Sequence, residues 1–463
     1  MVKLSAKEVA RLTGGELLSG VGDAEIGGVS IDSRTVSPGE LFIAIRGPHH
    51  DGHRFVASAL ERGAAGVVVS ETLAPDDLLR AFYVRVADTS KALQELAHGV
   101  RRSSGARVVA ITGSMGKTTT KDAAATAIGA AHSVLKSEGN FNNLFGLPLS
   151  LLKLRDEDVA VLEMGMSEPG EIARLTEIAE PDVGVLTNVG AVHLEFFPSV
   201  AAIAEAKGEL LVGLAEDAVA VVNADDPLVL EQARKFAGVK LSFAIEASAD
   251  LEAREIRTTA DGLRFLAREG ERSVEVASSL RGRHNIYNLL AGLAAARALD
   301  VPLDRAAAAL RTLAPARHRG ERLSLPAGVL VIDETYNSSP QALACAIAAL
   351  AEEDGGRRVA VVGDMLELGP RAETFHREIG RDIAARRLGL VVGVGPLGGV
   401  IVDAAREAGM ADANLLAYAD AAAVGRELAP HLRENDVVLF KASRGIGLEK
   451  AIENVHKKME ETR

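Results

Sequence analysis

The chain has no tryptophan, four tyrosines and one cysteine among its 463 residues. A single cysteine excludes an intrachain disulfide framework. Cys345 sits inside the apolar run Ala342–Leu350 and reads as a buried core thiol, not a nucleophile. Positive charge is also in short supply. With 52 Lys and Arg against 64 Asp and Glu, the formal net charge is −12, the wrong sign for non-specific nucleic-acid binding. No apolar run approaches the length of a membrane span, and Met1–Ala10 lacks the apolar core of a secretory signal. The expectation is a soluble, cytoplasmic monomer with no nucleic-acid partner and no membrane insertion.

What is present is aliphatic. Alanine-rich helices alternate with short Val/Ile/Leu-rich strands, the pattern of α/β layers with mostly parallel sheets. The length is too great for one core, and the chain divides into segments 1–88, 89–314 and 315–463. The first is a small α/β unit with strands near 29–34, 39–45 and 65–70. The second opens on a helix from Ser90 to about Arg102 and has strands at 108–111, 159–163, 183–187 and 218–223. The pattern breaks around Leu313–Gly320. The third segment, with strands at 329–333, 359–363, 390–394 and 436–440, reads as a doubly wound domain of its own.

The run Ile111-Thr-Gly-Ser-Met-Gly-Lys-Thr-Thr-Thr120 follows the first strand of the second segment and precedes a helix. A strand, a glycine turn and a helix N-terminus gather backbone N–H groups around one point, as an oligophosphate requires. Gly113 and Gly116 let the backbone curl, Lys117 supplies a cation, and the Thr118 hydroxyl can ligate Mg²⁺. The strict pattern G-x-x-x-x-G-K-[ST] has glycine where this chain has Ile111, so the loop is a shortened relative of it.

Other polar residues recur at strand ends, where open α/β sheets bind ligands. Glu163 ends an apolar strand and is placed to hold Mg²⁺ directly or through water. His193 could be a metal ligand, a general base or a structural loop histidine. Lys207, read by itself, is a snorkelling surface lysine on an amphipathic helix. Asn140, Asn142 and Asn143 could read phosphates, sugars or peptide carbonyls, or serve as turn and cap chemistry. Asn285 and Asn288 open a helix and could meet an adenine edge, with N-capping by Asn285 as the plainer alternative. Asp333 and Glu334 end a strand where an acid commonly binds a ribose hydroxyl.

Taken in order, residues 112–119, 140–143, Glu163, 188–195, 206–209, 284–288 and 333–337 resemble the Mur ligase family over essentially the whole chain. Asp32-Ser33-Arg34, residues 38–44, Gly139–Asn143, Tyr336-Asn337 and residues 362–369 are similar to the member that adds D-alanyl-D-alanine. No D-N-P-R motif of the ligase adding meso-diaminopimelate is found. The resemblance implies three α/β domains: a uridine-nucleotide domain, a central ATPase domain and a C-terminal Rossmann-like domain. It implies ATP-dependent ligation of D-alanyl-D-alanine to UDP-N-acetylmuramoyl-tripeptide through an acyl phosphate. Its alternatives are the ligase adding the third amino acid, a folylpolyglutamate-type enzyme or, from another class, a phosphate-loop ATPase acting as a switch.

The resemblance also implies site roles. ATP falls to Gly113, Ser114, Met115, Gly116, Lys117, Thr118, Thr119, Asn288 and Glu334. Thr118, Glu163, His193 and Lys207 hold Mg²⁺, with Lys207 a candidate carbamate. Lys117, His193, Lys207 and Arg319 carry the catalysis, Arg317 being the other register for the arginine. Substrate contacts fall to Asp32, Ser33, Arg34, Asn140, Asn142, Asn143, Thr187, Tyr336 and Asn337.

Overall fold

The structure is a computed structural model and describes residues 4–461 apart from 20–21, 23, 48–49 and 72–80. Met1–Lys3 of the N-terminal stretch Met1–Ala10 therefore lie outside the described residues. The helix that follows, Ala6–Thr13, begins at a capping box in which Ser5 and Glu8 satisfy one another's backbone N–H groups.

Three large sheets carry the fold, beside one two-stranded pairing near the N-terminus. The first has five strands, in the order Glu16–Ser19, Phe82–Arg85, Gly66–Val69, Glu40–Ile43, Gly28–Ser30. Only its Glu16–Ser19 edge runs antiparallel. The second has nine strands. Arg107–Thr112 lies at its heart, parallel to Val159–Glu163 on one side and Val183–Leu186 on the other. Residues of these strands are almost all buried, which is why they read as continuous apolar runs. The chain continues to opposite sides of Arg107–Thr112, so the C-terminal end of that strand is a topological switch point, where α/β sheets open a crevice. The register places Glu163 beside Ile111 and Leu186 beside Thr112.

Lys117–Ile128 and His284–Ala298 cover one face of this sheet. They approach so closely that a Cβ on Gly292 would stand 2.8 Å from Ala123. Helix Thr89–Ser104 is capped by Asp88 and buries apolar residues in a core that continues from the first unit onto the second sheet's other face. Arg101 fastens it there, donating to the carbonyls of Ala179 and Glu180 and to Asp182. The third sheet has six strands, parallel except for the edge strand Glu321–Ser324, with a core on each face.

The expected strands appear within a residue or so at most ends, and the α/β architecture with mixed, mainly parallel sheets is as read. Three expectations need correction. The strand expected near 29–34 ends at Ser30 and gives way to a turn at Ser33–Thr35. Cys345 is half-buried, not a core thiol, because its helix, Pro340–Ala351, turns Leu343, Ile347 and Leu350 inward instead. Lys207, read alone as a surface lysine, is 1% exposed. Its helix, Val200–Val212, buries residues around most of its middle turns, so that face is covered. The second sheet also extends into an antiparallel meander, Leu251–Thr259, Gly262–Glu269 and Arg272–Ser278, which the strand pattern above does not include. Among the described residues no helix is long and apolar enough to cross a membrane.

Candidate functional site

The phosphate loop is held by side chains from neighbouring strands and helices. Gly113 has φ 155° and Gly116 has φ 76°. A Cβ on Gly113 would lie 1.9 Å from Thr187 Oγ1, and one on Gly116 would lie 2.2 Å from Asn288 Oδ1. The glycines are thus required by close approach as well as by conformation. Asn188 braces the loop from below: Met115 N–H donates to its Oδ1 at 2.9 Å, and its Nδ2 donates to Met115 O at 3.0 Å. Ser114 Oγ accepts from Gly190 N–H at 2.8 Å. Thr187 Oγ1 donates to the carbonyls of Thr112 and Met115. Lys117 Nζ reaches back across the turn to Gly113 O at 2.9 Å. Burial draws the Lys117 ammonium below the ordinary lysine range, with Glu163 opposing and Arg319 adding to that shift.

One residue further, Thr118 Oγ1 donates to Glu163 Oε2 at 2.7 Å. Asn142 Nδ2 donates to Glu163 Oε1 at 2.8 Å. Both oxygens of a carboxylate that is only 3% exposed are therefore satisfied, which is what keeps a buried charge tolerable. Ser137 Oγ accepts from Glu163 N–H, and Ser137 O accepts from Lys121 Nζ at 2.9 Å. Lys121 is a buried cation that the motif alone does not flag, although it follows Lys117 by one helical turn. Thr119, its neighbour on the helix, is half-buried.

Lys207 differs from these cations. Among the described residues no carboxylate lies within ion-pair distance of it, and no hydrogen bond holds its amine. Burial pulls its pKa well below the ordinary value, and the nearby charge of Lys117 pulls the same way. A neutral, nucleophilic amine beside a phosphate loop is the form that can take up CO₂ and become an anion. His193 stands at the end of the Thr187–His193 turn, which Asp226 and Asn223 anchor through Val189 N–H and Thr187 O. Its Nδ1 lies 2.6 Å from Glu367 Oε2, a residue of the C-terminal segment. Burial holds the imidazole below the ordinary histidine range, against the opposing pull of Glu367. Thr118, Glu163, His193 and Lys207 thus offer hard oxygen and nitrogen donors around the loop. The set suits Mg²⁺ once Lys207 carries a carboxylate.

The C-terminal segment closes over the other side. Arg319 stacks on the Tyr336 ring, 3.7 Å from its centroid, while Arg317 is exposed. Glu334 receives Lys441 Nζ at 3.0 Å. Burial pushes its carboxyl up, but Lys441, His284 and Arg319 outweigh burial and leave it below the ordinary carboxylate range. Asp333 is committed elsewhere, accepting from Thr335 N–H and Oγ1 and pairing with His318. A cavity between the second and third units is lined by His284, Asn285, Arg319 and Glu334.

Other candidates are engaged locally. Asn288 is buried, accepting from Thr120 Oγ1 and donating to Asn285. Asn285 does not cap its helix; its Nδ2 donates to Arg281 O. Asn143 Oδ1 accepts from Phe145 and Gly146 N–H and so starts the following helix, whereas Asn140 is exposed. Asn337 offers its carbonyl to Lys441. Asp32 and Arg34 form a forked ion pair, which lowers the Asp32 pKa to about 2, and Ser33 is buried beneath them. This last group sits in the first unit, apart from the loop.

Models of known families match along the chain: Mur ligase family, catalytic domain, at residues 25–101; Mur ligase middle domain at 111–296; and Mur ligase, glutamate ligase domain, at 318–444. The UDP-N-acetylmuramoyl-tripeptide–D-alanyl-D-alanine ligase of Bacillus subtilis (strain 168) is 34% identical over 458 residues, 98% of this chain and 99% of the relative. The protein of the same description from Escherichia coli (strain K12) is 35% identical over 457 residues, 98% of each chain. Among solved structures, crystal structure I of MurF from Acinetobacter baumannii superimposes with TM-score 0.90 at 29% identity, covering 98% of this chain and 99% of that one.

Proposed function

The chain belongs to the Mur ligase family, and on that premise we propose that it joins D-alanyl-D-alanine to UDP-N-acetylmuramoyl-tripeptide, driven by ATP, in peptidoglycan precursor synthesis. The observation that carries this reading is that the likeness to D-alanyl-D-alanine-adding ligases runs end to end. A shared ATPase core alone would not extend through the first and third units.

The chemistry follows from what the loop can do. A carboxylate is a poor electrophile until one of its oxygens becomes a leaving group. The terminal carboxylate of the tripeptide attacks the γ-phosphorus of ATP, breaking its bond to the bridging β-oxygen and releasing ADP. The amine of D-alanyl-D-alanine attacks the resulting acyl phosphate, loses a proton, and the tetrahedral intermediate expels phosphate. Negative charge accumulates on the transferring group, so catalysis is mainly positioning and electrostatics.

Gly113–Thr119 supply backbone N–H groups to the phosphates and Lys117 a cation. Arg319 approaches from the C-terminal side. Thr118, Glu163, His193 and Lys207 as a carbamate would hold Mg²⁺, which neutralises charge on the oligophosphate when bound. Glu334 is the candidate for the ribose, and Asn288 borders the same region. Thr187 acts through the loop that it braces. Asp32, Ser33 and Arg34 are assigned to the uridine nucleotide. Asn140, Asn142, Asn143, Tyr336 and Asn337 are assigned to the peptide substrates.

The test is phosphate release from ATP with UDP-N-acetylmuramoyl-tripeptide and, in turn, D-alanyl-D-alanine, D-alanine or meso-diaminopimelate. Stimulation by the dipeptide is expected. Stimulation by a single amino acid alone would assign the chain to another ligase, and hydrolysis without any amide product to a switch. For Lys207, activity should depend on carbonate, vanish in Lys207→Ala and return with short carboxylic acids. Full activity of Lys207→Ala would remove the carbamate from the scheme.

A further inference from the structure

We propose that Glu367, carried by the C-terminal unit, is the positioning residue for the His193 imidazole, so that this metal ligand is oriented only across the seam between two domains. The inference rests on the reading of His193 as a Mg²⁺ ligand.

The pair is 2.6 Å apart, Nδ1 to Oε2, between residues 174 positions apart in sequence. An ionised carboxylate has no proton to give, so the proton in this bond belongs to Nδ1. The neutral ring then keeps its lone pair on Nε2, which becomes its only ligating nitrogen. A carboxylate behind a metal-binding histidine fixes both tautomer and ring plane. Without it the imidazole would sample other rotamers and the opposite tautomer.

The Glu367 side chain is half-exposed, and what marks the contact as prepared is the backbone on both sides of it. Both residues take the left-handed backbone that non-glycine residues seldom adopt, His193 at φ 54° and Glu367 at φ 63°. Each is held there by its own domain. On the C-terminal side Met365 N–H donates to His376 Nε2 and Leu366 N–H to Ser443 Oγ, both at 2.9 Å. Asp364 Oδ1 accepts from Gly398 N–H at 2.7 Å. On the central side His193 O accepts from the N–H groups of Phe196 and Phe197. A backbone bond crosses the seam beside the side-chain pair, Glu195 N–H to Glu367 O at 3.1 Å. The carbonyl and the carboxylate of one residue thus grip two residues of the opposing turn.

Mn²⁺ serves as the probe, titrated by electron paramagnetic resonance against the full-length protein. Glu367→Ala should weaken Mn²⁺ binding by about 10- to 100-fold, and His193→Ala at least as much. Glu367→Gln keeps an oxygen that accepts from Nδ1–H and should stay close to wild type. In the metal-free protein, ¹⁵N-histidine spectra should show His193 protonated at Nδ1 in wild type and Glu367→Gln, with Nε2–H dominating in Glu367→Ala. Wild-type affinity and tautomer in Glu367→Ala, together with weak binding in His193→Ala, would overturn the proposal and leave the metal reading intact. A Glu367→Gln variant as impaired as Glu367→Ala would also overturn it. Normal Mn²⁺ binding by His193→Ala would remove the metal reading and the orienting role together.

Discussion

Gly116 shows how tightly single positions are set. Its φ of 76° and the 2.2 Å approach of Asn288 Oδ1 leave no room for a Cβ. Gly116→Ala should lose about 1–2 kcal/mol from backbone strain alone. If that is felt in nucleotide binding, it amounts to roughly tenfold in Kd. Calorimetric titration with ATP checks it, and an unchanged Kd would show that the loop relaxes. His376 sets a pH limit. It is fully buried, with both ring nitrogens engaged by Ala372 O and Met365 N–H, and burial holds its pKa below the ordinary value. The folded state prefers the neutral ring, so this stabilisation is complete above the unfolded pKa of about 6.5. It is lost as pH falls from there toward the lowered folded value. The urea midpoint should therefore drop below about pH 6.5, and His376→Gln should flatten that drop. Lys207 marks the limit of residue-by-residue reading. The residue type and its amphipathic neighbours point to the surface, and only the packing of other elements over Val200–Val212 buries it.

At the scale of elements, helix Val200–Val212 does more than carry Lys207. Glu209, two residues on, accepts from Gly170 and Ala173 N–H at 2.8 and 3.0 Å and so caps the neighbouring helix Glu171–Ala179. Glu209→Ala should cost about 1 kcal/mol, measured by urea unfolding, and Glu209→Gln should recover part of it. Absence of any loss would mean that water replaces the carboxylate without cost. The strands that surround the loop were legible because burial on both faces makes them continuous apolar runs. The meander Leu251–Ser278 was not, because only one face is covered and exposed arginines and glutamates interrupt it. Its signal was there in another form: Asp261-Gly262 and Gly270-Glu271 mark the two turns between alternating segments.

At the scale of the whole molecule, the proposed site draws on separate units. Lys117 and Thr118 open the helix that follows Arg107–Thr112 and Glu163 ends a strand of the central sheet, while Arg319 and Glu334 flank the strands Glu321–Ser324 and Leu330–Asp333 of the C-terminal one. ATP with Mg²⁺ at about a hundred times Kd should stabilise the protein by about 2.7 kcal/mol. Hydrogen exchange should slow in Leu330–Asp333 as well as Arg107–Thr112. Protection confined to the central sheet would place Arg319 and Glu334 away from the nucleotide. The order of motifs along the chain was readable because several of them, at 112–119, Glu163, 188–195 and 333–337, lie at the ends of apolar strands. The seam was not, since neither His193 nor Glu367 carries any local sign of its distant partner.

The phosphate loop's dependence on Thr187, Asn188 and Asn288 has a consequence for anyone wishing to transplant it. Residues 112–119 alone would arrive without the hydroxyl and amide groups that fill the space beside Gly113 and Gly116 and hold the carbonyls of Thr112 and Met115. The portable unit is discontinuous: a strand-end turn at 187–190 and one position of helix His284–Ala298 must travel with it. A designer who grafts the motif as a contiguous peptide should expect a loop of the right composition that does not hold its shape.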